Sequence, residues 1–351
     1  MITDAHGNLL DDSADVLVNT VNTVGIMGKG IALQFKRRFP AMFKDYERAA
    51  KRGELRLGSM HVWPTGTLEP PRYVINFPTK GHWRSRSKLG DVEAGLQALR
   101  SVLVDLQVSS VAVPPLGCGH GGLRWAEVEP LIEQALGDLP GIDVRVYPPE
   151  GAPPASDMVD NTPRPAMTHG KATLLVLLDR YRSQALEVTL VEIQKLLYFL
   201  QEAGEDMGLD FVKERYGPYA DNARKSLRSM EGHFITGFGD GSGPVLAADP
   251  IDLMPSAVAD AEVEVAKSAG TVDRIRRVVD LTEGFASPYG LELLSTVHWV
   301  ATRIDPAAAH DPAVAASHVA EWNDRKARLF TQDHVAAASA HLVAKGWLPP
   351  A

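Results

Sequence analysis

Residues 14–35, ADVLVNTVNTVGIMGKGIALQF, decide the fold class of this chain. The apolar run at residues 14–18 predicts a buried parallel strand. Two asparagines and three glycines follow, and from Ile31 onward the apolar spacing is helical. The sequence therefore predicts a strand, a glycine-rich loop and a helix N-terminus in direct succession. Glycines let the backbone approach a ligand closely, and the free N–H groups of a first helical turn favour an anion such as phosphate.

The glycine spacing excludes two common phosphate-binding loops. Gly28-Lys29-Gly30 is not followed by the Ser or Thr that a nucleotide-triphosphatase loop uses to hold magnesium. The spacing also differs from that of the dinucleotide fingerprint. The amides of Asn19 and Asn22 can hydrogen-bond ribose hydroxyls. The alternatives at this point are a loop for a nucleotide-like ligand and a purely structural turn.

The composition indicates a globular chain with two domains. It has 351 residues, of which 45% are hydrophobic and 23% charged, and a domain usually takes about 100–200 residues. No apolar run reaches membrane-spanning length, and residues 1–4 do not resemble a signal peptide. The single Cys118 excludes an internal disulfide, so we expect a cytoplasmic protein with no membrane partner. We expect no metal and no cofactor, because the histidines are scattered and one cysteine cannot build a thiolate site.

Strands and helices alternate through residues 1–148, which predicts an α/β domain with a mixed, mostly parallel sheet and helices on both faces. Residues 149–167 are rich in proline and have no hydrophobic period, so we expect a linker there. Residues 168–351 predict a mainly α-helical domain. Within it Thr189 and Glu192 form a predicted capping box, and Asp333 is the predicted cap of a helix ending at Lys345. The predicted strands of the first domain are 14–18, 59–63, 72–77, 110–114 and 143–147, and its predicted helices are 28–38, 41–51, 91–106 and 125–136.

Two further loops follow predicted strands. Residues 78–88, PTKGHWRSRSK, are rich in positive charge, and residues 115–123, PLGCGHGGL, form a second glycine-rich loop. In an open α/β sheet, ligands bind at the carboxyl ends of the strands. We therefore expect the three loops to meet at one edge of the sheet.

The two glycine-rich loops resemble those of macrodomains, which bind ADP-ribose. Residues 18–22, VNTVN, stand where macrodomains commonly have VNAAN, and residues 28–32 and 116–122 match their two glycine loops. The resemblance covers about residues 1–148. Macrodomains often have an aspartate on the adenine where this chain has Asn8, and an amide can still pair with adenine. The resemblance implies ADP-ribose contacts from Asn8, Leu9, Thr20, Val21, Asn22, Gly28, Gly30, Ile31, Ala32, Leu33, Thr79, Leu116, Gly117, Cys118, Gly119, His120, Gly121 and Gly122.

Within that family the chain is most similar to the branch of DNA ADP-ribosyl glycohydrolases that includes the DarG antitoxins. The similarity rests on the run GIMGKGIA and on a lysine after the stretch INFPT. It implies that Lys80 is catalytic and that the enzyme removes ADP-ribose from thymidine bases in DNA. A related branch adds an aspartate where this chain has Gly121. A neutral amine can attack the anomeric carbon, but a solvated lysine has a pKa of about 10.4, so the site must lower it by burial or by like charge.

The residues themselves leave several alternatives open. His120 can orient water or bind a ribose hydroxyl, or it can simply face solvent. Cys118 has no evident base and suits a small packed side chain better than a nucleophile. The loop residues Trp83, Arg84, Arg86 and Lys88 form an aromatic and basic cluster typical of single-stranded nucleic-acid binding, with a solvated loop as the alternative. The alternative functions are a non-catalytic ADP-ribose-binding module and a hydrolase of ADP-ribosylated protein.

The second domain resembles the SocA/Panacea type of antitoxin domain. The resemblance rests on residues 193–199, IQKLLYF, and residues 215–219, RYGPY. It implies a partner, a DarT-like toxin that modifies single-stranded DNA. Residues 1–150 have 17 basic and 17 acidic side chains, whereas residues 151–351 have 19 basic and 27 acidic, so the formal charge of −8 lies entirely in the second part. An acidic surface can compete with DNA for the basic groove of such a partner.

Overall fold

The computed structural model describes residues 1–241 and 249–350. The chain forms two compact units. The first is Met1–Pro163 together with a short segment at Asp240, and the second is the remainder from Arg164 onward. No helix of the described residues is long and apolar enough to cross a membrane.

A six-stranded sheet forms the centre of the first unit, with strand order β1-β6-β5-β2-β4-β3. Neighbouring strands are parallel except for β3 and β4, which are antiparallel. This confirms the predicted α/β fold. The strands are β1 (Ile2–Asp4), β2 (Val16–Asn22), β3 (His61–Pro64), β4 (Tyr73–Lys80), β5 (Ser110–Val113) and β6 (Asp143–Val146), and the helices are α1 (Gly30–Arg38), α2 (Pro40–Lys51), α3 (Leu89–Asp105) and α4 (Trp125–Leu136).

Helices cover both faces of this sheet because apolar side chains of β2 alternate between them. Val18 belongs to the buried cluster that contains Leu96 of α3, and Leu17 and Val21 belong to the cluster that contains Phe35 of α1. Burying one such aliphatic side chain contributes about 1.5–3 kcal/mol. The central strand is therefore fixed from both sides, and its carboxyl end is held in a defined place.

Two strands run further than predicted. β2 continues through Asn19 to Asn22, and β4 continues through Pro78 to Lys80. Proline is tolerated there because β3 pairs with β4 only as far as Asn76, so no ladder hydrogen bond is lost on that side. The prediction that Lys80 lies in a loop is wrong, because it is the last residue of a central strand.

The proline-rich stretch after β6 contacts the first unit. Asp160 pairs with Arg37 of α1 at 3.3 Å between Oδ2 and Nε, and both side chains are buried. The backbone N–H of Asn161 donates to the Arg37 carbonyl oxygen at 2.9 Å. Because of these contacts, the stretch up to residue 161 belongs to the first compact unit.

The second unit is mainly helical, as predicted. Two short antiparallel strand pairs accompany the helices, β7 (Val212–Glu214) with β8 (Gly217–Tyr219) and β9 (Ile235–Thr236) with β10 (Asp252–Leu253). The helices are α5 (His169–Tyr181), α6 (Leu190–Glu202), α7 (Asp221–Met230), α8 (Pro255–Val265), α9 (Ala269–Leu281), α10 (Pro288–Trp299), α11 (Pro312–Ala320), α12 (Asp324–Leu329) and α13 (Gln332–Ala344).

One of the two predicted helix caps in this unit is confirmed. Thr189 accepts from the backbone N–H of Glu192, whose carboxylate accepts from the Thr189 backbone in return, so the capping box at α6 is present. The cap predicted at Asp333 is wrong. Thr331 caps α13 instead, since its hydroxyl accepts from the His334 backbone N–H. A threonine two residues earlier satisfies the same free N–H groups.

A buried lysine joins the two stretches that resemble an antitoxin domain. Lys195 of α6 donates from Nζ to the Pro218 carbonyl oxygen at 2.6 Å. Gly217 has a φ of +98°, and a Cβ there would lie 3.4 Å from Lys195 Nζ, so the turn favours glycine. Nearby, Lys326 donates to Glu292 at 2.7 Å. Burial lowers the pKa of Lys195 to about 7.

Candidate active site

The three predicted loops meet at the carboxyl ends of β2, β4 and β5. Lys80 donates from Nζ to the His120 carbonyl oxygen at 3.1 Å, which joins β4 to the second glycine-rich loop. The Ser87 backbone N–H donates to the Gly121 carbonyl oxygen at 3.0 Å. The Thr23 backbone N–H donates to the Lys80 carbonyl oxygen at 3.2 Å. The strand that carries the lysine therefore contacts both glycine-rich loops.

Asn22 shapes the first loop. Its Oδ1 accepts from the backbone N–H groups of Val24 and Ile26 at 3.1 and 3.3 Å, and its Nδ2 donates to the Ile26 carbonyl oxygen at 2.6 Å. Tyr46 of α2 donates its hydroxyl to the Asn22 carbonyl oxygen. Both ends of this amide thus hold the loop backbone, and its predicted contact with a ribose stays a prediction.

Asn19 has a structural role. Its side chain is fully buried on β2, and its Nδ2 donates to Oδ1 of Asn76 on β4 at 2.8 Å. Asn76 Nδ2 in turn lies 3.0 Å from His61 Nδ1 on β3. This amide pair ties the central strands together, so Asn19 is not at the end of the strand where a ligand would lie.

Helix α1 begins immediately after the first loop, at Gly30. Lys29 precedes it and makes no side-chain cap hydrogen bond, so it leaves the N–H groups of Gly30, Ile31 and Ala32 to other acceptors. Such a helix N-terminus suits a diphosphate. Gly30 has a φ of +58°, and a Cβ there would lie 3.6 Å from His120 Cδ2. The start of the helix is therefore adjacent to the second loop.

Close packing around the second loop explains why position 121 is a glycine. A Cβ on Gly121 would lie 2.3 Å from the Gly117 carbonyl oxygen and 2.4 Å from Ser87 Oγ. Gly119, by contrast, is exposed and has nothing within 4 Å of the same position. Ser87 was not among the predicted site residues, because a serine in a basic loop gives no signal of burial. Its hydroxyl is buried and has no hydrogen-bond partner among the described residues.

The electrostatics favour Lys80 as a nucleophile. Partial burial lowers the pKa of its amine below the ordinary value. Since only the neutral amine has a free lone pair, this is the direction that nucleophilic attack requires. The sequence left open whether burial or like charge would lower this pKa, and the structure favours burial.

The pKa values of the two other candidate side chains, His120 and Cys118, are shifted in opposite directions. Partial desolvation and the positive charges of Lys29 and Lys80 lower the pKa of His120, so its imidazole is neutral near pH 7. Burial raises the pKa of Cys118 to about 11, so its thiol stays protonated. Its Sγ lies 3.7 Å from the Leu116 carbonyl oxygen. A thiol in that state is a poor nucleophile.

Several predicted ligand residues have side chains in the protein interior. Thr79 is buried on β4, with its hydroxyl 3.4 Å from the Val21 carbonyl oxygen. Any contact they make with a ligand would come from the backbone. The apolar members of this set are Leu9, Val21, Leu33 and Leu116.

Other predicted residues remain accessible at the site. Thr20, Gly28, Ile31 and Ala32 are partly exposed. Asn8 caps a short 3-10 turn, because its Oδ1 accepts from the Leu10 N–H at 3.1 Å, and its Nδ2 donates to a neighbouring carboxylate, that of Asp11, at 2.9 Å. Its predicted pairing with adenine stays a prediction.

The aromatic and basic cluster is assembled on the surface after β4. Trp83 keeps 43% of its surface exposed, which leaves ring area for a base to stack on. The Arg84 guanidinium carbon lies 4.4 Å from the centroid of that ring, and the His82 ring lies 5.4 Å away. Arg86 and Lys88 are exposed. The cluster therefore begins beside the strand end that carries the lysine.

Comparison with known proteins shows the family to which this chain belongs. The Macro domain family matches residues 18–132, from β2 to α4. A DNA ADP-ribosyl glycohydrolase of Mycobacterium tuberculosis is 46% identical over 96% of this chain and 98% of its own length. One from Thermus aquaticus is 43% identical over 100% of this chain and 95% of its own. A DNA ADP-ribosyl transferase-DNA ADP-ribosyl glycohydrolase fusion protein of Thermosipho africanus is 33% identical over 41% of each chain.

These similarities extend over both compact units and confirm the resemblance inferred from the two glycine-rich loops. Among the residues described here, no group of three His, Cys, Asp or Glu side chains could hold a metal ion. From its macrodomain fold and its similarity over nearly the full length of these enzymes, the chain belongs to the DNA ADP-ribosyl glycohydrolase family.

Proposed function

We propose that the first unit releases ADP-ribose from thymidine bases in DNA, with Lys80 as the nucleophile. The observation that carries the proposal is a partly buried lysine with a lowered pKa, whose amine donates to the second glycine-rich loop and whose carbonyl oxygen accepts from the first. Membership of the glycohydrolase family supports the same reaction. An enzyme of chromosomal DNA would work in the cytoplasm of a bacterial cell.

The reaction proceeds in two steps. The neutral Lys80 amine attacks the anomeric carbon of the distal ribose, the bond from that carbon to the thymine nitrogen breaks, and the amine proton passes to the departing base. The ribose ring then opens to an imine between Lys80 and the sugar. Water adds to the imine carbon and expels the amine, which restores Lys80 and frees ADP-ribose.

The surrounding groups would hold the substrate. The N–H groups of Gly30 and Ile31 at the start of α1 would bind the diphosphate, and the exposed backbone at Gly119 would close the other side. The neutral His120 imidazole can hydrogen-bond a ribose hydroxyl. The single strand that carries the modified thymidine would stack on Trp83, and its phosphates would pair with the nearby basic side chains, Arg84, Arg86 and Lys88.

Release of labelled ADP-ribose tests this function. We expect release from a single-stranded oligonucleotide with ADP-ribosylated thymidine and none from a peptide ADP-ribosylated on glutamate. Retention of label on both substrates, with free ADP-ribose still bound, would favour the non-catalytic binding module. Release from the peptide alone would favour a hydrolase of ADP-ribosylated protein.

We propose that the second unit binds a DarT-like toxin directly and neutralises it without glycohydrolase activity. The fusion of transferase and glycohydrolase in the Thermosipho africanus protein supports a functional pairing of the two activities. The formal charge of −8 in residues 151–351 supports an acidic surface that occupies the basic DNA groove of the toxin.

Co-expression of the toxin with residues 168–351 should protect cells, and the two proteins should co-purify at low salt. The complex should weaken as salt rises, because exposed charges are screened over about 8–10 Å at physiological ionic strength. The matched control is residues 1–163, which should not bind the toxin. Absence of both rescue and complex at low salt would leave the acidity as a contribution to solubility only.

A further inference from the structure

The second unit contains a cleft whose charge is opposite to that of the sequence around it. The cleft has a volume of about 590 Å³ and lies between β7 and α12. Four of its lining side chains are cationic, Lys213, Arg215, Arg325 and Arg328, and two are carboxylates. It occurs in a part of the chain that carries an excess of eight acidic residues. The cleft therefore has a local excess of positive charge in an otherwise acidic part of the chain.

Most of these cations have no carboxylate partner. Arg325 donates to Glu292 of α10. In residues 1–241 and 249–350, however, Lys213, Arg215 and Arg328 form no salt bridge. An unpaired exposed cation retains its full charge for an external anion. Three positive charges are therefore available in one cleft.

Aromatic rings hold three of the cations in place. Lys213 Nζ lies 4.6 Å from the Trp322 ring centroid, and the Arg215 guanidinium carbon lies 5.4 Å from the Tyr216 ring centroid. The Arg325 guanidinium carbon lies 5.0 Å from the centroid of the same Tyr216 ring. A cation–π contact orients a cation without neutralising it. The rings thus restrict these side chains while leaving their charge intact.

The two sides of the cleft are also fixed relative to each other. Trp322 Nε1 donates to the Glu214 carbonyl oxygen at 2.9 Å, and Asn323 Nδ2 donates to the Arg215 carbonyl oxygen at 3.1 Å. The β7 hairpin and the start of α12 are therefore tied through side chain to backbone bonds. A preorganised site loses less conformational freedom on binding.

We propose that this cleft binds the phosphodiester backbone of a single nucleic-acid strand. Lys213 and Arg215 lie two residues apart on one side, and Arg325 and Arg328 lie three apart on one helical face on the other. Two rows of cations suit an anion whose charge repeats along a line, and guanidinium groups match phosphate geometry.

The inference is independent of the glycohydrolase reaction, so its test uses unmodified DNA. Fluorescence anisotropy measures the affinity of the full chain for a labelled oligothymidylate. Every protein carries Trp83→Ala and Arg84→Gln, which removes the proposed DNA contact of the first unit. The test variant adds Arg215→Gln and Arg328→Gln. The matched control adds Lys225→Gln and Arg276→Gln, two exposed cations outside the cleft, so both proteins lose the same charge.

We expect the test variant to bind about tenfold more weakly than the control, and the slope of log K against log salt to fall by about 1.4, for two phosphates at about 0.7 each. Equal affinity and equal slope in the two proteins would overturn the proposal. Competitors distinguish the ligand. Displacement by polyglutamate as effective as by the oligonucleotide would assign the cleft to an acidic protein segment, and equally effective displacement by thymidine monophosphate would assign it to a free nucleotide.

Discussion

Replacement of Lys80 by alanine should lower the release of ADP-ribose from DNA by about a thousandfold or more, because the nucleophile is lost. The affinity for free ADP-ribose should stay within about fivefold, since the amine supplies at most one hydrogen bond worth about 1 kcal/mol. Single-turnover release from an ADP-ribosylated thymidine oligonucleotide measures the first effect, and calorimetry measures the second.

Two further measurements make this result specific to an amine nucleophile. Borohydride should trap a covalent adduct on the wild type and on the control Lys44→Ala, an exposed lysine of α2, and none on Lys80→Ala. The wild-type rate should rise with pH as Lys80 loses its proton. Because burial lowers its pKa, the midpoint should lie below the value of about 10.4 for a solvated lysine. Near-normal turnover by Lys80→Ala would show that the amine mechanism is wrong.

Replacement of Gly119 by glutamate should weaken ADP-ribose binding by about a hundredfold or more. The substitution adds a carboxylate to the loop that we propose faces the diphosphate, and juxtaposed like charges cost several kcal/mol. The protein should still fold, since nothing lies within 4 Å of a Cβ at this position. Calorimetric titration with ADP-ribose measures the affinity, and a thermal melt checks the fold.

The matched control for that experiment is Gly119→Ala. It adds a methyl group into the same open space without a charge, so its affinity should stay near that of the wild type. Weak binding by both variants would point to a backbone effect rather than to repulsion. Unchanged affinity in a folded Gly119→Glu protein would place this loop outside the ligand site.

The sequence predicted every strand and helix of the first unit except β1, and it predicted the meeting of the three loops, because each loop follows an apolar strand and two of them are rich in glycine. It did not predict the roles of the two asparagines. Asn19 pairs with Asn76, which lies 57 positions away in sequence, and Asn22 bonds within its own loop. Pairing across strands depends on register, which the asparagines themselves do not encode.

The sequence also did not predict which side chains are buried. Ser87 lies against two glycines that are 30 and 34 residues further along the chain, and only the folded chain brings them together. Thr331 and Asp333 are both good helix caps, and local sequence could not decide between them. The pKa direction of Lys80 likewise depends on how much of the amine the second loop covers.

The contact between Lys195 and the Pro218 carbonyl oxygen has a practical consequence for protein engineering. A chimera that exchanges α6 alone between two relatives would leave that buried amine without its acceptor, and an unsatisfied buried donor costs about 1–3 kcal/mol. Exchange of the β7–β8 hairpin alone carries the same risk from the other side, since Gly217 has to leave room for the lysine. Segment 189–219 should therefore be transplanted as one cassette when this part of the second unit is exchanged between relatives.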